Sequence, residues 1–338
     1  MIFKFDKSIF SKIMFLLNII IGFLHSICLL FNNFYLEYFS NFSLISVFFP
    51  VFYALNLFFL LYWLVKLDYR FIFSSIFLLL SFNVSFYKYD YDINISSENE
   101  IHLMSFNVRL FNHYNWIKSD SIAEKISEFS KVNLPDVLSL QEFHNDYKYL
   151  FNHYKNSHFG LNGENVGLAL FSNNKIVKKG YVDDQYGKIL AIFIDVVSQN
   201  DTIRIYNSHL KSYNLDLVSL KMDKKSLKEV LERSKEVYEI QNKQIDYLIS
   251  NVNQSEVPSV ISVDLNSTPY SFVYKKISNH FDDSFLKKGR GFGSTYGLGK
   301  IPMRIDFMFT TPSISVNNFV KHNINLSDHK PISVFFKI

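Results

Sequence analysis

Ser259-Val260-Ile261-Ser262-Val263-Asp264-Leu265-Asn266 is a short run rich in β-branched residues that closes on an acid and an amide. Val and Ile suit the pleated, half-buried surface of a strand, and the run has strand rather than helix length. A carboxylate and a carboxamide at the exit of such a strand sit on a rigid support yet open to solvent, where α/β proteins carry their chemistry. If the strand continues through Asn266, both side chains leave from one face. The other reading of the same residues is an Asx turn leading into Ser267-Thr268-Pro269.

Outward from this stretch the same pattern recurs. Apolar strands are expected at 101–108, 136–141, 167–172, 189–197, 202–209, 304–309 and 331–336. Polar residues fall at or near the ends of most of them: Asn107, Glu142, His209, Asp306, and Asp328 with His329. Asp306 stands inside Ile305-Asp306-Phe307-Met308-Phe309, where an ionised carboxylate is costly without a donor. His329 is the candidate donor, and an acid that orients an imidazole raises its basicity and fixes its tautomer. One helix is expected to start at Ser121, which has capping-box spacing to Glu124, with Ile122, Ile126 and Phe129 on its apolar face. A second falls within 217–252, with Val237, Ile240, Ile245 and Leu248 as its stripe and its lysines and arginine as a solvated face. Strands with helices between them predict two packed sheets covered by helices.

The N-terminal quarter reads differently. No charged residue occurs at 13–31, 42–65 or 71–87, and each run is about long enough to cross roughly 30 Å of hydrocarbon, the third only just. Residues 1–88 are therefore expected to form an anchor of three transmembrane helices, followed by a polar tether at 89–100 and a soluble domain at 101–338. A basic leader (Lys4, Lys7, Lys12) also suits a cleaved secretory signal, but the apolar run is long for one and no small-x-small cleavage site follows it. The leader and the second loop (Lys66, Arg70) hold the basic residues, which places the N-terminus in the cytoplasm and the soluble domain on the outer, periplasmic or extracellular side. Asn18 and His25, seven apart on one helix face, are expected to be interhelical hydrogen-bond glue rather than a polar path.

Composition narrows the chemistry. Cys28 is the only cysteine and lies in the first apolar run, so the soluble part has no disulfide, no thiol nucleophile and no thiolate metal site. Residues 91–338 hold 29 Lys and Arg against 27 Asp and Glu, too even a balance for a surface dedicated to gripping long nucleic acid.

Six elements occur in a set order: Ser105-Phe106-Asn107, Leu140-Gln141-Glu142, Asn207-Ser208-His209-Leu210, Asp264-Leu265-Asn266, Arg304-Ile305-Asp306-Phe307 and Ser327-Asp328-His329. In this the sequence resembles the endonuclease/exonuclease/phosphatase (DNase-I-like) superfamily over the whole of 101–338. It departs in having Val263 and Leu265 around Asp264, where the family commonly has Gly and Phe, and Ser208 where it has Thr. Neither change removes a catalytic group. The resemblance implies an α+β four-layer sandwich, two packed mixed sheets flanked by helices, here preceded by an all-α transmembrane region. It implies a Mg²⁺ (or Mn²⁺) ion held by Glu142 with Asn107 and Asp328, and catalysis by His329, Asp306, Asp264 and His209. Asn266 and Asn107 would bind the phosphoryl oxygens, and either His329 or Asp264 would be the base. The implied function is metal-dependent hydrolysis of a phosphate ester by a membrane-anchored phosphodiesterase of nuclease type. A lipid- or inositol-headgroup phosphatase or phospholipase, or a silent membrane scaffold, is the alternative. The expected partners are nucleic acid or a lipid headgroup as substrate and the lipid bilayer, with no obligate protein partner. The segment 289–297 reads as a substrate-edge loop in which Arg290 meets a phosphate, or as a turn-rich connection.

Overall fold

The computed structural model describes residues 3–82, 84, 88, 100–163, 165–199, 201–214, 223–298 and 301–338. Most of the expected tether thus lies outside the described residues, as do residues 217–222 of the range within which the second helix is expected. The chain forms two compact units: residues 1–86 with 222–239 and 268–275, and the remainder.

In the first unit, α1 (Ile9–Asn33) contains the first apolar run. The second run begins in a 3₁₀ segment, Glu37–Phe48, and becomes α2 at Phe49–Val65, with Pro50 in its first turn, where a missing N–H costs nothing. The third, α3, is Phe71–Leu80, 10 residues or about 15 Å, half the hydrocarbon thickness. Among the described residues, two helical stretches rather than the three expected, Ile9–Asn33 and Glu37–Val65, are therefore long and apolar enough to cross a membrane. Their polarity is inside out. Ile9, Phe23, Leu61 and Leu79 are exposed, while Asn18, His25, Asn56 and Ser74 are fully buried. Asn18 Oδ1 accepts from Trp63 Nε1 and Ser74 Oγ, both at 3.0 Å. His25 lies 3.0 Å from Asn56 Nδ2 and 2.7 Å from Ser81 Oγ, so the two polar residues of α1 do tie three helices together. At Gly22 the helices touch so closely that a Cβ would lie 2.6 Å from the Phe77 ring.

The second unit begins with β1 (Ile101–Asn107), α4 (Ile122–Asn133) and β2 (Val137–His144). The hairpins β3 (Asn156–Asn162) with β4 (Val166–Ser172), and β5 (Lys175–Asp183) with β6 (Ile189–Ser198), follow, then β7 (Asp201–His209). The long helix α5 (Lys224–Asn253) leads to β8 (Ser259–Asp264) and the two-residue β9 (Asp282–Asp283). A small ribbon, β10 (Tyr296–Leu298) and β11 (Ile301–Met303), precedes β12 (Asp306–Thr310), β13 (Ser315–Lys321) and β14 (Ile332–Lys337). Two six-stranded sheets result, ordered β13-β14-β1-β2-β4-β3 and β5-β6-β7-β8-β12-β9. Each has one parallel pair, β1 with β2 and β7 with β8, and each pair is joined by a helix as a parallel connection requires. The expected architecture of packed mixed sheets with outer helices is the one observed.

The sheets meet over an apolar core that includes Leu103, Val137, Leu170, Ile194, Ile205, Val260 and Val334. Toward the strand ends a buried polar seam replaces it. Ser262 Oγ lies 2.9 Å from Ser139 Oγ and donates to Ser105 Oγ at 2.7 Å. Asn207 Nδ2 donates to Leu140 O (2.8 Å) and Ala169 O (2.9 Å), while its Oδ1 accepts from Gln141 Nε2 at 2.7 Å. These bonds fix how the facing sheets are aligned directly beneath the polar strand ends.

Two local expectations are corrected. Ser121 takes a left-handed conformation (φ 58°) and makes no side-chain cap, so the capping box with Glu124 does not form. The second helix runs one residue further than expected, to Asn253.

Candidate active site

Parallel pairing brings the exits of β1, β2, β7 and β8 to one edge, and with them Asn107, Glu142, His209 and Asp264. β12 runs antiparallel to β8, so the acid it contributes is its first residue: Asp306 stands directly opposite Asp264, and His209 stands opposite Asp264 on the other side. Asp328 and His329 come from the turn before β14.

Two buried carboxylates in one cross-strand pair repel each other, and His329 answers this. Its Nδ1 donates to Asp306 Oδ2 (2.9 Å) and Oδ1 (3.1 Å) and lies 3.9 Å from Asp264 Oδ2. Burial alone would lower the imidazole pKa, but Asp306 and then Asp264 overcome it and push it up to about 10. For Asp264 itself burial and the Asp306 charge raise the pKa, against the pull of His329, His209 and the Asn107 hydrogen bond.

Asn107 joins the sheets at the site: its Nδ2 donates to Asp264 Oδ2 (2.9 Å) and Glu142 Oε1 (3.1 Å). Glu142 adopts φ 48° after a bulge in the β2–β4 pairing, which turns its carboxylate out of the strand's alternation. His209 Nε2 is buried without a hydrogen-bond partner, 3.6 Å from Asp264 Oδ2 and 3.9 Å from Glu142 Oε1. An orphaned imidazole nitrogen beside two carboxylates marks a place where a further polar group belongs. Carboxylate and amide oxygens at this edge are the donor chemistry of a hard divalent cation. The nearest ligand atoms of Asp264, Asp306 and His329 also lie within 4.8 Å of one another.

Two predicted site residues lie differently from the rest. Asn266 does not continue the strand: with φ 49°, its N–H closes an Asx turn on Asp264 Oδ1 (2.9 Å) and its Nδ2 donates to Leu210 O at 3.0 Å. Asp328 accepts from Arg109 Nη1 at 2.9 Å, while the Ser327 hydroxyl bonds both Asn107 O and Asp328 Oδ1.

Sequence reasoning missed Arg109, Tyr296 and Thr295. Tyr296 faces His329 with ring centroids 4.9 Å apart, and burial, then Asp328, raises its phenol pKa. The Thr295 hydroxyl accepts from the N–H groups of Ile305 and Asp306, both at 3.2 Å, and its carbonyl accepts from Lys330 N–H at 2.7 Å. The segment 289–297, singled out for its glycines, thus delivers its last residues to the site and braces the backbone on either side of the Asp306–His329 pair. Arg109 carried one signal, its place two residues after Asn107.

Residues 104–329 match the Endonuclease/Exonuclease/phosphatase family, and the chain belongs to it. Residues 11–86 match a domain of unknown function, DUF8431. The fold is shared with the endonuclease/exonuclease/phosphatase of Bacteroides vulgatus, which is 15% identical with a TM-score of 0.55 over 71% of this chain and all of that one. Humanized D. rerio TDP2 (14% identical, TM-score 0.54, 71% of this chain and 100% of that one) is similar. So is the human Nocturnin catalytic domain with bound sulfate anion, at 17% identity and a TM-score of 0.53 over 71% of this chain and 93% of that one. No curated protein matches.

Proposed function

We propose that the protein is a membrane-anchored, metal-dependent phosphodiesterase of the nuclease type. The observation that carries this is the convergence, at one edge of two sheets, of a buried acid–acid–imidazole set (Asp264, Asp306, His329) with Asn107, Glu142 and His209. Family membership supports phosphate-ester hydrolysis as the reaction, and likeness to D. rerio TDP2, whose structure holds a single strand DNA product, supports a nucleic-acid substrate.

Glu142 and Asn107, with Asp328 beside them, would hold a divalent ion, Mg²⁺ or Mn²⁺, for which their oxygen donors are suited. Such an ion supplies Lewis-acid charge to the phosphoryl oxygens when bound. The chain's own groups divide the remaining work. His329, kept charged by Asp306, donates a hydrogen bond to the phosphoryl oxygens as negative charge builds on them. Asp264, whose carboxylate is the harder to keep ionised because it is buried, accepts a proton from the attacking water. His209 Nε2 and the second amide hydrogen of Asn266 steady the phosphoryl group, while the Asn107 amide hydrogens stay on Asp264 and Glu142. Exposed apolar side chains on α1 and α2 support insertion in a bilayer, and the basic leader supports an inner N-terminus with the hydrolase outside.

A lipid headgroup is the second substrate class, favoured by that same apolar exterior. The test is hydrolysis of bis-p-nitrophenyl phosphate, DNA, RNA and phosphoinositides by the full chain in detergent, with and without Mg²⁺. Glu142→Ala and His329→Ala are each expected to lose at least a hundred-fold in kcat/KM, on the order of a lost electrostatic catalytic group. Turnover close to wild type in either variant with the fold intact would sink the assignment.

A further inference from the structure

The chain leaves β1 through a backbone conformation that asks for an explanation. Arg109, Leu110, Phe111 and Asn112 have φ of 43°, 52°, 55° and 61°, a left-handed turn built without glycine. Such residues are each disfavoured by roughly 1–2 kcal/mol, and runs of them persist only where the surroundings hold them. Here Phe111 is buried against Phe143, Tyr147 and Phe151. Asn112 grips Ile117 from both sides, accepting its N–H at 2.8 Å and donating to its carbonyl at 2.9 Å.

The turn fixes the exposed arm 113–116 beside the site. Arg109 bonds Asp328, the neighbour of His329, at 2.9 Å, and its guanidinium lies 4.5 Å from the centre of the Trp116 ring. A single side chain therefore connects the catalytic edge to an indole. Tyr114 meets Trp116 edge-on at 5.3 Å, His113 meets Tyr114 at 5.0 Å, and Trp116 keeps 42% of its surface exposed. What residues 113–118 show to solvent is aromatic rings, an amide (Asn115) and a cation (Lys118), with Ser119 and Asp120 exposed just beyond; Ile117, and Phe111 before the arm, pack against the core. A surface built to enter acyl chains would present aliphatic side chains. Rings with amide and cationic neighbours are the chemistry that receives a nucleobase, by stacking and edge hydrogen bonds.

We infer that Trp116, held in place by Arg109 and the left-handed turn, is a specificity subsite that stacks the base of the nucleotide whose phosphate occupies the catalytic edge. The inference rests on the phosphodiesterase reading and names its substrate class: a nucleotide ester or an oligonucleotide end, in keeping with the even charge balance of the soluble part.

The test compares three esters with the same leaving group on the full chain in detergent with Mg²⁺: thymidine 5′-(p-nitrophenyl phosphate), methyl p-nitrophenyl phosphate and p-nitrophenylphosphorylcholine. The thymidine ester is expected to exceed the methyl ester in kcat/KM by about ten-fold or more, the order of one base–aromatic stack, and chiefly through KM. Trp116→Ala should bring that ratio close to one, and Trp116→Phe should keep most of it. A wild-type ratio near one, or a ratio that Trp116→Ala leaves unchanged, overturns the subsite while leaving the phosphodiesterase reading standing. Preference for the choline ester overturns it in favour of a headgroup site. Failure to turn over any of the three removes the underlying reading, and the inference with it. The wild-type comparison needs no variant, so a misfolded substitution cannot shelter the idea.

Discussion

Asp306→Asn keeps the shape of the side chain that orients His329 and removes its charge. In the native protein both Asp306 oxygens lie within hydrogen-bonding distance of His329 Nδ1, at 2.9 and 3.1 Å, and the imidazole pKa is pushed up to about 10 against the effect of burial. The remaining acid, Asp264, is 3.9 Å away, and burial disfavours its own charge. With Asp306 neutral, desolvation regains ground and the imidazole moves back toward its ordinary value of roughly 6.5. That return of roughly 3.5 pH units corresponds to about 5 kcal/mol of lost preference for the imidazolium. At about pH 8 the charged fraction would fall from nearly all to roughly one molecule in thirty. If His329 acts as a charged donor, kcat/KM for bis-p-nitrophenyl phosphate falls at least about ten-fold at that pH and much less near pH 6. The alkaline limb of the wild-type profile should lie near pH 10, and that of the variant about two units lower or more. An NMR titration of the His329 ring, read without substrate, checks the ionisation separately from the chemistry. An unchanged alkaline limb in the variant, or a wild-type imidazole that titrates near neutrality, would refute the reasoning.

Asn207→Ala strips the inter-sheet seam of three hydrogen bonds and leaves the carbonyls of Leu140 and Ala169 buried without that donor. A loss of roughly 2–4 kcal/mol is expected in denaturant unfolding of the second unit, and Asn207→Asp should not rescue it because it donates to neither carbonyl. His102 is lowered to about 4 by burial and then by His322, and both imidazoles lie 2.9 Å from the Ser333 hydroxyl. Since the unfolded histidine titrates near 6.5 and the folded one near 4, its contribution is complete above 6.5 and is lost as pH falls through 4. The loss is about 3 kcal/mol. Melting temperatures of wild type and His102→Gln between those pH values should converge as the solution is acidified; parallel curves would rule the effect out.

The strands that could be read in the sequence are those buried on both faces, where Val, Ile and Phe run almost without interruption. β8 and β12 are buried at every position. β3 and β5 were not legible, because they are edge strands with one face in water. β5, Lys175–Asp183, is mostly exposed, carries three lysines and a glycine, and has no alternation that survives its two bulges. The third apolar run shows a related limit of composition. Composition shows that a stretch tolerates lipid, but the helix stops at Leu80, beyond which few residues are described. In the site, Asp306 was legible because a carboxylate in an apolar strand needs a donor, and the donor proved to be His329. Arg109 and Tyr296 were not, since both owe their places to long-range pairing of β1 with β14 and of the 289–297 segment with the turn at His329.

That contrast also explains why the site tolerates departures from the family's commoner residues at 263, 265 and 208. The position of each group proposed for catalysis is set by register rather than by its immediate neighbours. His209, Asp264 and Asp306 form one row across β7, β8 and β12, while Asn107 lies at the exit of β1 beside Gln141 of β2. What must then be specified is how one row faces the other, and the buried bonds among Ser105, Ser139, Gln141, Asn207 and Ser262 do this a few residues below the edge. Val263 and Leu265 are themselves fully buried, so an aliphatic side chain at each fills the interior without touching the polar row. Buried hydroxyls and amides cost stability unless all find partners. Their concentration under the candidate site, where an apolar core would pack more simply, is what a site requires when its two halves belong to different sheets and must meet within a hydrogen bond's length, as Asn107 does with Asp264 at 2.9 Å.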